Sequence, residues 1–337
     1  MVMKPGQIVG DYEVIDLLES SHEGVTYKVR NVLVQRFEVL RILPKTVQGD
    51  TEKVTRFLRE AKVHARISHP NIVSFYHATQ LDGQLVMTTE LVEGTTLAER
   101  RESGPLPIEE ALNYVSQVLS ALTYAHALGF IHRNVTPFNI ILTPEGGAKL
   151  TGFGLAKATT DPQMTQPGTV IGSLNYISPE QVKGLSELDG RTDIYSLGVV
   201  LYEAVTGRRP FHRKSQFEIM LAHVNELPPA PTIVNPEVPA ELSEIILTAM
   251  SKDPSHRYQT AEEFRQRLDR LRGVPQPAGE SVQRPTSVTL LDVPMIQTAW
   301  PASRIMPAQW SSWRLWAASF ITFVVVVLTF LAITRRL

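Results

Sequence analysis

Cysteine is absent from the 337-residue sequence, which excludes disulfides, cysteine-ligated zinc and thiol catalysis but leaves the compartment open. A surplus of charge of either sign is also absent. The formal net charge is −1, which argues against nucleic acid as a partner, because nucleic-acid binding relies on surplus positive charge. Residues 1–30 carry acidic and polar side chains throughout, so the sequence predicts no signal peptide.

One long hydrophobic run is present, at 315–334. As a helix these 20 uncharged, apolar residues would be about 30 Å long, which matches the hydrocarbon core of a bilayer. Arg314 precedes the run and Arg335 follows it. The alternative is a buried core helix, which the uniform apolarity disfavours. All four tryptophans lie just before the run or at its start, where indole rings favour the headgroup zone: Trp300, Trp310, Trp313 and Trp316. We predict one C-terminal transmembrane helix.

The orientation of that helix does not follow from charge, because positive residues flank it on both sides. A folded domain made before the only hydrophobic segment most simply stays in the cytoplasm. We therefore expect a single-pass membrane protein whose folded domain is cytoplasmic. The stretch 273–312 is rich in proline and lacks helical periodicity, which predicts an extended juxtamembrane linker.

The spacing at which hydrophobic residues recur changes along the chain. Up to residue 91 apolar and polar side chains alternate as in strands, interrupted by an amphipathic helix at 51–67. The apolar face predicted for that helix comprises Val54, Phe57, Leu58, Ala61 and Ala65. After Gly94 the period is helical, and 191–206 is apolar on most sides, which indicates a buried helix. The pattern predicts a five-stranded sheet with one helix, followed by a mainly helical region. The strands lie within 11–43 and at 72–78 and 84–91, and the other helices near 108–128, 215–225, 240–251 and 260–272.

The segment 131–142 reads IHRNVTPFNIIL. It resembles the catalytic loop of eukaryotic-type Ser/Thr protein kinases, H-R-D-x-K-P-x-N. The resemblance covers about 11–272, and with the C-terminal apolar run it is similar to the bacterial transmembrane kind of this family. It implies a two-lobed α+β fold with an N-lobe at 11–92 and a mainly helical C-lobe at 93–272. Further landmarks in the family's order are Pro70-Asn71-Ile72-Val73, Ser178-Pro179-Glu180, the DIYSLG motif that begins at Asp193, and Arg257.

The resemblance implies structural roles for several of these residues. Glu180 is expected to pair with Arg257 and brace the C-lobe, and Asp193 is expected to hold the backbone of the catalytic loop. His132 is expected to be a packed structural residue. Arg133 has two open roles: it pairs with a local carbonyl or carboxylate, or it receives a phosphate added to the activation segment. The candidate phosphate acceptors are Thr159, Thr160, Thr165 and Thr169.

Several residues at the family's catalytic and metal-binding positions are changed. Asn134 stands at the position of the catalytic Asp, and an amide cannot take a proton from a hydroxyl. Thr136 replaces the Lys of the same loop. The metal-binding D-F-G motif begins with Gly152, which has no side chain to offer to Mg²⁺. Asn139, the second metal ligand of the family, is retained, and we interpret it as a structural residue that bonds to the loop backbone.

The nucleotide cleft is altered as well. Of the family's three loop glycines only the third, Gly24, remains, and glycines are what let backbone amides approach phosphates. Arg41 replaces the lysine of the third family strand, and it is expected to pair with Glu60 on the following helix. The alternative is that Glu60 pairs with Arg56, one helical turn away. Val39 stands where the family has a smaller alanine, which narrows the base pocket.

The cleft is completed by Thr89 at the gatekeeper position and by Glu90 to Val92 at the hinge, according to the same resemblance. Backbone groups of the hinge retain the capacity to bond a flat heterocycle. ATP is therefore a possible ligand, no other cofactor is indicated, and Mg²⁺ is not expected to bind in the usual way. No other metal site is predicted.

These observations favour a membrane-anchored pseudokinase that acts in signalling by binding. It would be a scaffold, an allosteric partner of an active kinase, or a decoy for the substrates of one. The alternative is an ATP-dependent Ser/Thr protein kinase with atypical catalytic residues. A third possibility is a cleft that binds another ligand without metal and signals it through the linker. The alternative, which we favour, is a narrowed pocket that is filled by its own side chains. The predicted partners are the membrane and other proteins, not nucleic acid.

Overall fold

The computed structural model describes residues 3–20, 24–43, 49–153, 157–158 and 174–274. By compactness the chain divides into two units, Met1–Ser281 and Val282–Leu337, and all described residues belong to the first. The predicted transmembrane helix at 315–334 and all but the first two residues of the predicted linker at 273–312 lie outside the described residues. Within the described ranges, no helix is long and apolar enough to cross a membrane.

An antiparallel sheet of six strands forms most of the N-lobe, in the order β1-β2-β3-β4-β6-β5. Five of them correspond to the predicted strands. The additional one has only two residues, too few to produce an alternating pattern, and it precedes the predicted start of the domain. The strands are β1 (Ile8–Val9), β2 (Tyr12–Ser20), β3 (Val25–Asn31), β4 (Arg36–Ile42), β5 (Phe75–Leu81) and β6 (Gln84–Glu90).

The alternation along β4 divides the N-lobe into two sides. Leu40 and the buried residues of neighbouring strands form a core on one side, whereas Val39 and Arg41 lie on the other side and line a cleft. Helix α1 (Thr51–His64) packs there and contributes Phe57 to a second small core. Its buried face includes Phe57, Glu60, Ala61 and His64. The helix ends three residues before the predicted 67.

The apolar face predicted for α1 was wrong at two positions. Leu58 is 38% exposed, and Ala65 is exposed and lies beyond the helix end. The buried face passes instead through Glu60 and His64, one helical turn apart. A polar residue can occupy a buried helical position when it contacts residues of other elements there. The positions of apolar residues alone therefore do not locate the buried face of this helix.

The C-lobe is mainly helical, with two small sheets on the side of the cleft. Its core surrounds α3 (Ile108–Ala127) and α5 (Arg191–Thr206), and α5 is buried from Thr192 to Thr206. The other helices are α2 (Leu97–Glu102), α4 (Pro179–Val182), α6 (Gln216–Asn225), α7 (Pro231–Val234), α8 (Ala240–Ala249) and α9 (Ala261–Leu271). The strands are β7 (Thr95–Thr96), β8 (Phe130–Ile131), β9 (Ile140–Leu142), β10 (Ala148–Leu150) and β11 (Lys157–Ala158).

The predicted helices of the C-lobe are present within two residues of their expected ends. Helix α5 begins and ends where predicted, and Gly207 ends it in a left-handed conformation (φ 70°), which glycine adopts without a Cβ penalty. The two lobes are joined behind the cleft. Lys149 Nζ in β10 donates to both carboxylate oxygens of Glu90, at 2.7 and 2.8 Å, and the backbone of Leu150 exchanges hydrogen bonds with that of Asn71 and Val73.

Candidate functional site

A cleft of about 590 Å³ lies beneath the N-lobe sheet and reaches the catalytic loop. This volume is in the range of small-molecule sites. Among the residues singled out from the sequence, the cleft is lined by Val39, Arg41, Glu60, Thr89, Asn134, Asn139 and Gly152. Gly24, Glu90, Val92 and Thr136 are not among its described lining residues. Thr136 is buried, with 3% of its surface exposed, and so offers no group to a ligand.

The catalytic loop is held from below by Asp193, at the start of α5. Its carboxylate accepts hydrogen bonds from the backbone N–H of His132 (2.9 Å) and of Arg133 (2.7 Å), and His126 Nε2 lies 2.7 Å away. Burial alone would raise the pKa of Asp193, but these partners outweigh it and lower the pKa. The contact predicted between Asp193 and the loop backbone is present.

His132 and Arg133 occupy structural positions in this loop. The His132 ring is fully buried, its Nε2 lies 2.9 Å from the carbonyl oxygen of Thr151, and burial lowers its pKa. Arg133 has a positive φ of 67°, and its carbonyl accepts from Gln181 Nε2 at 2.9 Å. The candidate phosphate acceptors at 159–169 lie outside the described residues.

The predicted pair of Glu180 and Arg257 is present as a bidentate ion pair. The two N–H···O distances are 2.7 and 2.8 Å, and the Arg257 side chain is fully buried. Thr192 donates a further hydrogen bond to Glu180. Burial by itself would raise the pKa of Glu180, but Arg257 and Thr192 lower it. Every oxygen of this buried carboxylate is thus satisfied.

The residues at the catalytic and metal-binding positions are closely packed against one another. Asn139 Nδ2 donates to the carbonyl of Asn134 at 2.9 Å, and the Asn139 backbone carbonyl accepts from Thr151 at the same distance. Gly152 has a positive φ of 84°, and a Cβ placed on it would lie only 2.7 Å from Asn139 Oδ1 and Cγ. The Asn139 amide therefore fills the space into which a side chain at position 152 would begin.

This arrangement does not fit Mg²⁺ in the manner of the family. Mg²⁺ requires hard oxygen ligands, chiefly carboxylates, in near-octahedral geometry. Here the position of the metal-binding carboxylate is a glycine, and the neighbouring amide donates to the loop backbone. Across the described residues, moreover, no cluster of three or more histidine, aspartate or glutamate side chains could hold a metal ion.

Arg41 on β4 and Glu60 on α1 form an ion pair in the cleft, with 2.7 Å between Nη1 and Oε2. Glu60 is 6% exposed. The side chain of Arg56, the alternative partner, lies outside the described residues. Gly24 packs against the same arginine: a Cβ on Gly24 would be 3.1 Å from the Ile42 carbonyl and 3.4 Å from Arg41 Nε. The pair holds α1 against the sheet.

His64, one turn beyond Glu60, is a cleft residue that sequence reasoning missed. It lines the inner end of the cleft, with 3% of its surface exposed. Its ring packs edge-on against Phe153 at 5.2 Å, and Phe153 packs against His132 at 4.6 Å. Burial, with the nearby charges of His132 and Arg41, lowers the pKa of His64 to about 4. The imidazole is thus neutral at physiological pH.

Two further residues were missed. Lys53 lies one helical turn before Phe57 on α1 and lines the cleft, with its Nζ 3.7 Å from Asp50. Lys149 forms the ion pair behind the hinge with Glu90. For Lys53 the available signal was its i, i+4 and i+7 spacing with Phe57 and Glu60, which places all three on one helix face. No local pattern marks Lys149, because its partner is distant in sequence.

Comparison with known proteins identifies the fold and the family. The protein kinase domain family matches residues 12–268. The serine/threonine-protein kinase PrkC of Bacillus subtilis is 38% identical over 259 residues, which cover 77% of this chain and 40% of that protein. PknE of Mycobacterium tuberculosis, also a serine/threonine-protein kinase, is 33% identical over 311 residues, 91% of this chain and 55% of PknE.

Among solved structures, the kinase domain of PknI from Mycobacterium tuberculosis superposes with a TM-score of 0.63 at 27% identity, covering 80% of this chain and 99% of that domain. The curated relatives are longer than this chain, which spans about 40% of PrkC and 55% of PknE. The matched region contains both lobes, the catalytic loop and the bracing ion pairs described above. The chain belongs to the protein kinase domain family and is related to the bacterial serine/threonine kinases of the eukaryotic type.

Proposed function

We propose that this chain is a pseudokinase: a kinase-like signalling domain that acts by binding rather than by Mg²⁺-dependent phosphotransfer. The observation that carries the proposal is the contact between Asn139 and Gly152. Phosphoryl transfer in kinases depends on Mg²⁺ to neutralise the charge of the phosphates. Position 152 provides no ligand, and the Asn139 amide fills the adjacent space.

The catalytic loop supports the same proposal. Asn134 faces the cleft but has no basic group with which to accept the proton of a substrate hydroxyl. Thr136 is buried and replaces the cation that would steady a phosphate. Arg41, at the position of the family's strand lysine, is paired with Glu60. Base, metal ligand and phosphate-steadying cation are therefore altered together, and no single rearrangement restores all three.

The proposed role is that of a scaffold, an allosteric partner of an active kinase, or a decoy for its substrates. The apolar run at 315–334 would anchor the domain to the membrane, with the domain in the cytoplasm. The proline-rich stretch before it would act as a tether. The well-satisfied ion pairs of the C-lobe support a binding role, because they preserve the shape of the family while the chemistry is changed.

The second candidate is an ATP-dependent Ser/Thr protein kinase with atypical residues. The comparisons favour it more directly than they favour a pseudokinase, because PrkC and PknE are both named as serine/threonine-protein kinases. In this case Arg41 would contact phosphate, and a carboxylate elsewhere would bind the metal. Substitution of Arg41 and Asn139 by alanine is then expected to abolish activity.

Thermal unfolding of the full chain with ATP, with and without Mg²⁺, separates the two. A ligand at 100 times its Kd stabilises the folded state by about 2.7 kcal/mol, a shift of several degrees for a domain of this size. A pseudokinase is expected to show no shift that requires Mg²⁺. A parallel assay measures phosphate transfer from ATP to a generic protein substrate.

A Mg²⁺-dependent shift together with phosphotransfer that is lost in Arg41→Ala and in Asn139→Ala would refute the pseudokinase proposal. Phosphotransfer that persists unchanged in both variants would indicate a contaminating kinase. The exposed variant Arg213→Ala is the matched control, because Arg213 lies in the C-lobe and pairs with Glu226 at the surface. It is expected to behave as the parent in both assays.

A further inference from the structure

Two arginines in the C-lobe share one buried carboxylate. Glu203 on α5 is fully buried, and its Oε1 lies 3.2 Å from Arg101 Nη1 and 3.1 Å from Arg209 Nε. Its other carboxylate oxygen accepts from the hydroxyl of Tyr176 at 2.6 Å. Arg101 lies on α2 and Arg209 follows α5, so the two guanidinium groups converge on one point from different elements.

This group of residues carries more positive charge than the carboxylate requires. Two arginines face one glutamate, which gives a net charge of +1, since Tyr176 stays neutral. Burial, with the nearby charge of Glu203, raises the pKa of the Tyr176 hydroxyl. One cation compensates a buried carboxylate, and the second arginine is therefore in excess.

The two arginine side chains also reach the surface. They are 23% exposed for Arg101 and 31% exposed for Arg209. A guanidinium group has five N–H donors, and Nε of Arg101 is buried without a hydrogen-bond partner in the described part of the chain. The pair therefore combines surplus charge, spare donor capacity and access from solvent.

The charged residues next to these arginines in the sequence do not cancel the surplus. Arg100 pairs with Glu110 through hydrogen bonds of 3.2 and 3.0 Å, so these two charges balance each other. Glu102, which follows Arg101, and Arg208, which precedes the second arginine, are both exposed and opposite in charge. The surroundings thus leave a local excess of positive charge.

We propose that Arg101 and Arg209 form a binding site for a phosphorylated serine or threonine of a partner protein. Phosphate accepts bidentate hydrogen bonds from guanidinium groups, and its charge of about −1.5 to −2 exceeds that of a carboxylate. Arginine clusters recognise phosphorylated segments in this way. The inference goes beyond the proposed function, because neither arginine is among the described residues that line the cleft. It does not depend on whether this chain transfers phosphate.

The test uses a short alanine peptide with one central phosphoserine, and counterparts with serine or glutamate in its place. Affinity for the full chain is measured by fluorescence anisotropy of the labelled peptides. Arg101→Gln and Arg209→Gln each remove one charge and leave the other arginine to compensate Glu203. Arg30→Gln is the matched control, because it removes the same charge from the pair with Glu13 in the N-lobe sheet.

The phosphoserine peptide is expected to bind the parent and Arg30→Gln alike, the glutamate peptide more weakly, and the serine peptide not measurably. Arg101→Gln and Arg209→Gln are each expected to lower the affinity for the phosphopeptide about tenfold, the equivalent of one charge-assisted hydrogen bond. Arg101→Lys, which keeps the charge but not the fork of donors, is expected to recover part of this affinity.

Equal phosphopeptide affinity in the parent and in either folded glutamine variant would overturn the proposal, as would failure of the phosphopeptide to bind the parent. Equal binding of the phosphoserine and glutamate peptides would overturn it in favour of a site for acidic segments. Unfolding measurements on the same samples check that the variants are folded, and either variant alone is sufficient for the test. Detection of phosphotransfer would contradict the pseudokinase proposal without changing these affinity ratios.

Discussion

The base of the C-lobe and the nucleotide cleft use buried polar residues in opposite ways. At the base, Glu180, Arg257 and Asp193 are buried, and each carboxylate oxygen accepts from a neighbouring donor. In the cleft, the ring of His64 is equally buried but has no hydrogen-bond partner in the part of the chain that the structure describes. The buried carboxylates of the first region thus have hydrogen-bond donors at each oxygen, whereas the described part of the second contains a buried ring whose donor and acceptor are unused.

The difference separates residues that the fold requires from residues whose identity matters only for the reaction of the family. A buried ion pair cannot lose one member without leaving an uncompensated charge, so the C-lobe pairs are tied to the architecture. The cleft residues Asn134, Asn139 and Gly152 have no such constraint, and packing of the amide against the glycine is compatible with the same backbone. The following predictions test this contrast, from the largest expected effect to the smallest.

Arg257→Ala is expected to have the largest effect. It removes one partner of a buried bidentate pair and leaves Glu180 charged and unpaired, which costs about 3–5 kcal/mol of unfolding free energy. Denaturant unfolding of the full chain measures the loss. The control Arg213→Ala, in an exposed pair, is expected to change stability by less than about 1 kcal/mol. Similar losses in both variants would remove the distinction between the two regions.

His64 is expected to make stability depend on pH. Its pKa is about 4 in the folded protein, against 6.5 in the unfolded chain, so between these values only the unfolded state takes up the proton. The contribution of neutral His64 to the free energy of unfolding is fully present above pH 6.5 and is lost as the pH falls towards 4. The total loss is about 3 kcal/mol, at about 1.4 kcal/mol per pH unit. Unfolding free energy is measured across this range.

His64→Leu is expected to make that pH profile shallower by one proton, and His212→Leu, at an exposed position, to leave it as in the parent. His223 also has a lowered pKa, of about 3, caused chiefly by burial, so part of the slope remains in both variants. An unchanged slope in His64→Leu would show that the ring is accessible to protons in the folded state, contrary to its burial.

Arg41→Ala is expected to have an intermediate effect. Glu60 is 6% exposed and would lose the arginine that bonds it, but Arg41 itself is 31% exposed, so water compensates in part. We expect a loss of about 1–3 kcal/mol, together with faster hydrogen exchange in α1, measured by mass spectrometry. Arg30→Ala, in a more exposed pair with Glu13, is the control. A protected α1 in Arg41→Ala would show that the ion pair does not hold the helix.

The smallest expected effect is the difference in stability between Gly152→Ala and its matched control, Gly6→Ala. Both glycines have a positive φ, 84° and 81°, but a Cβ at Gly6 meets nothing within 4 Å, whereas at Gly152 it meets Asn139 at 2.7 Å. Both variants lose about 1–2 kcal/mol from the backbone conformation. Gly152→Ala is expected to lose about 1 kcal/mol more, and equal losses would mean that the Asn139 amide moves away freely.

The fold and its bracing residues were predictable from the sequence because their motifs are local and ordered. Glu180 and Arg257 lie 77 residues apart, yet each sits in a short motif, and the resemblance supplied the pairing. The position of α5 was predicted because its apolarity on most sides is unambiguous. Strand β1 was missed because two residues are too few to show an alternating pattern of apolar and polar side chains.

The unpredicted part of the site depends on side-chain packing between distant elements. That Asn139 fills the space beside Gly152 depends on the close approach of two loops, which no spacing shows. His64 was missed because a histidine in an amphipathic helix is equally compatible with a buried or an exposed position. The membrane anchor and the domain boundaries remain predictions, since the residues that would test the anchor lie outside the described ranges.

The ion pair between Arg41 and Glu60 has a consequence for regulation. A ligand shifts a conformational equilibrium only by its difference in affinity for the two states. Here α1 is held against the sheet by a bond internal to the protein, so the inward position of the helix needs no nucleotide. A partner that docks on α1 would therefore meet the helix in its inward position without first requiring a nucleotide in the cleft.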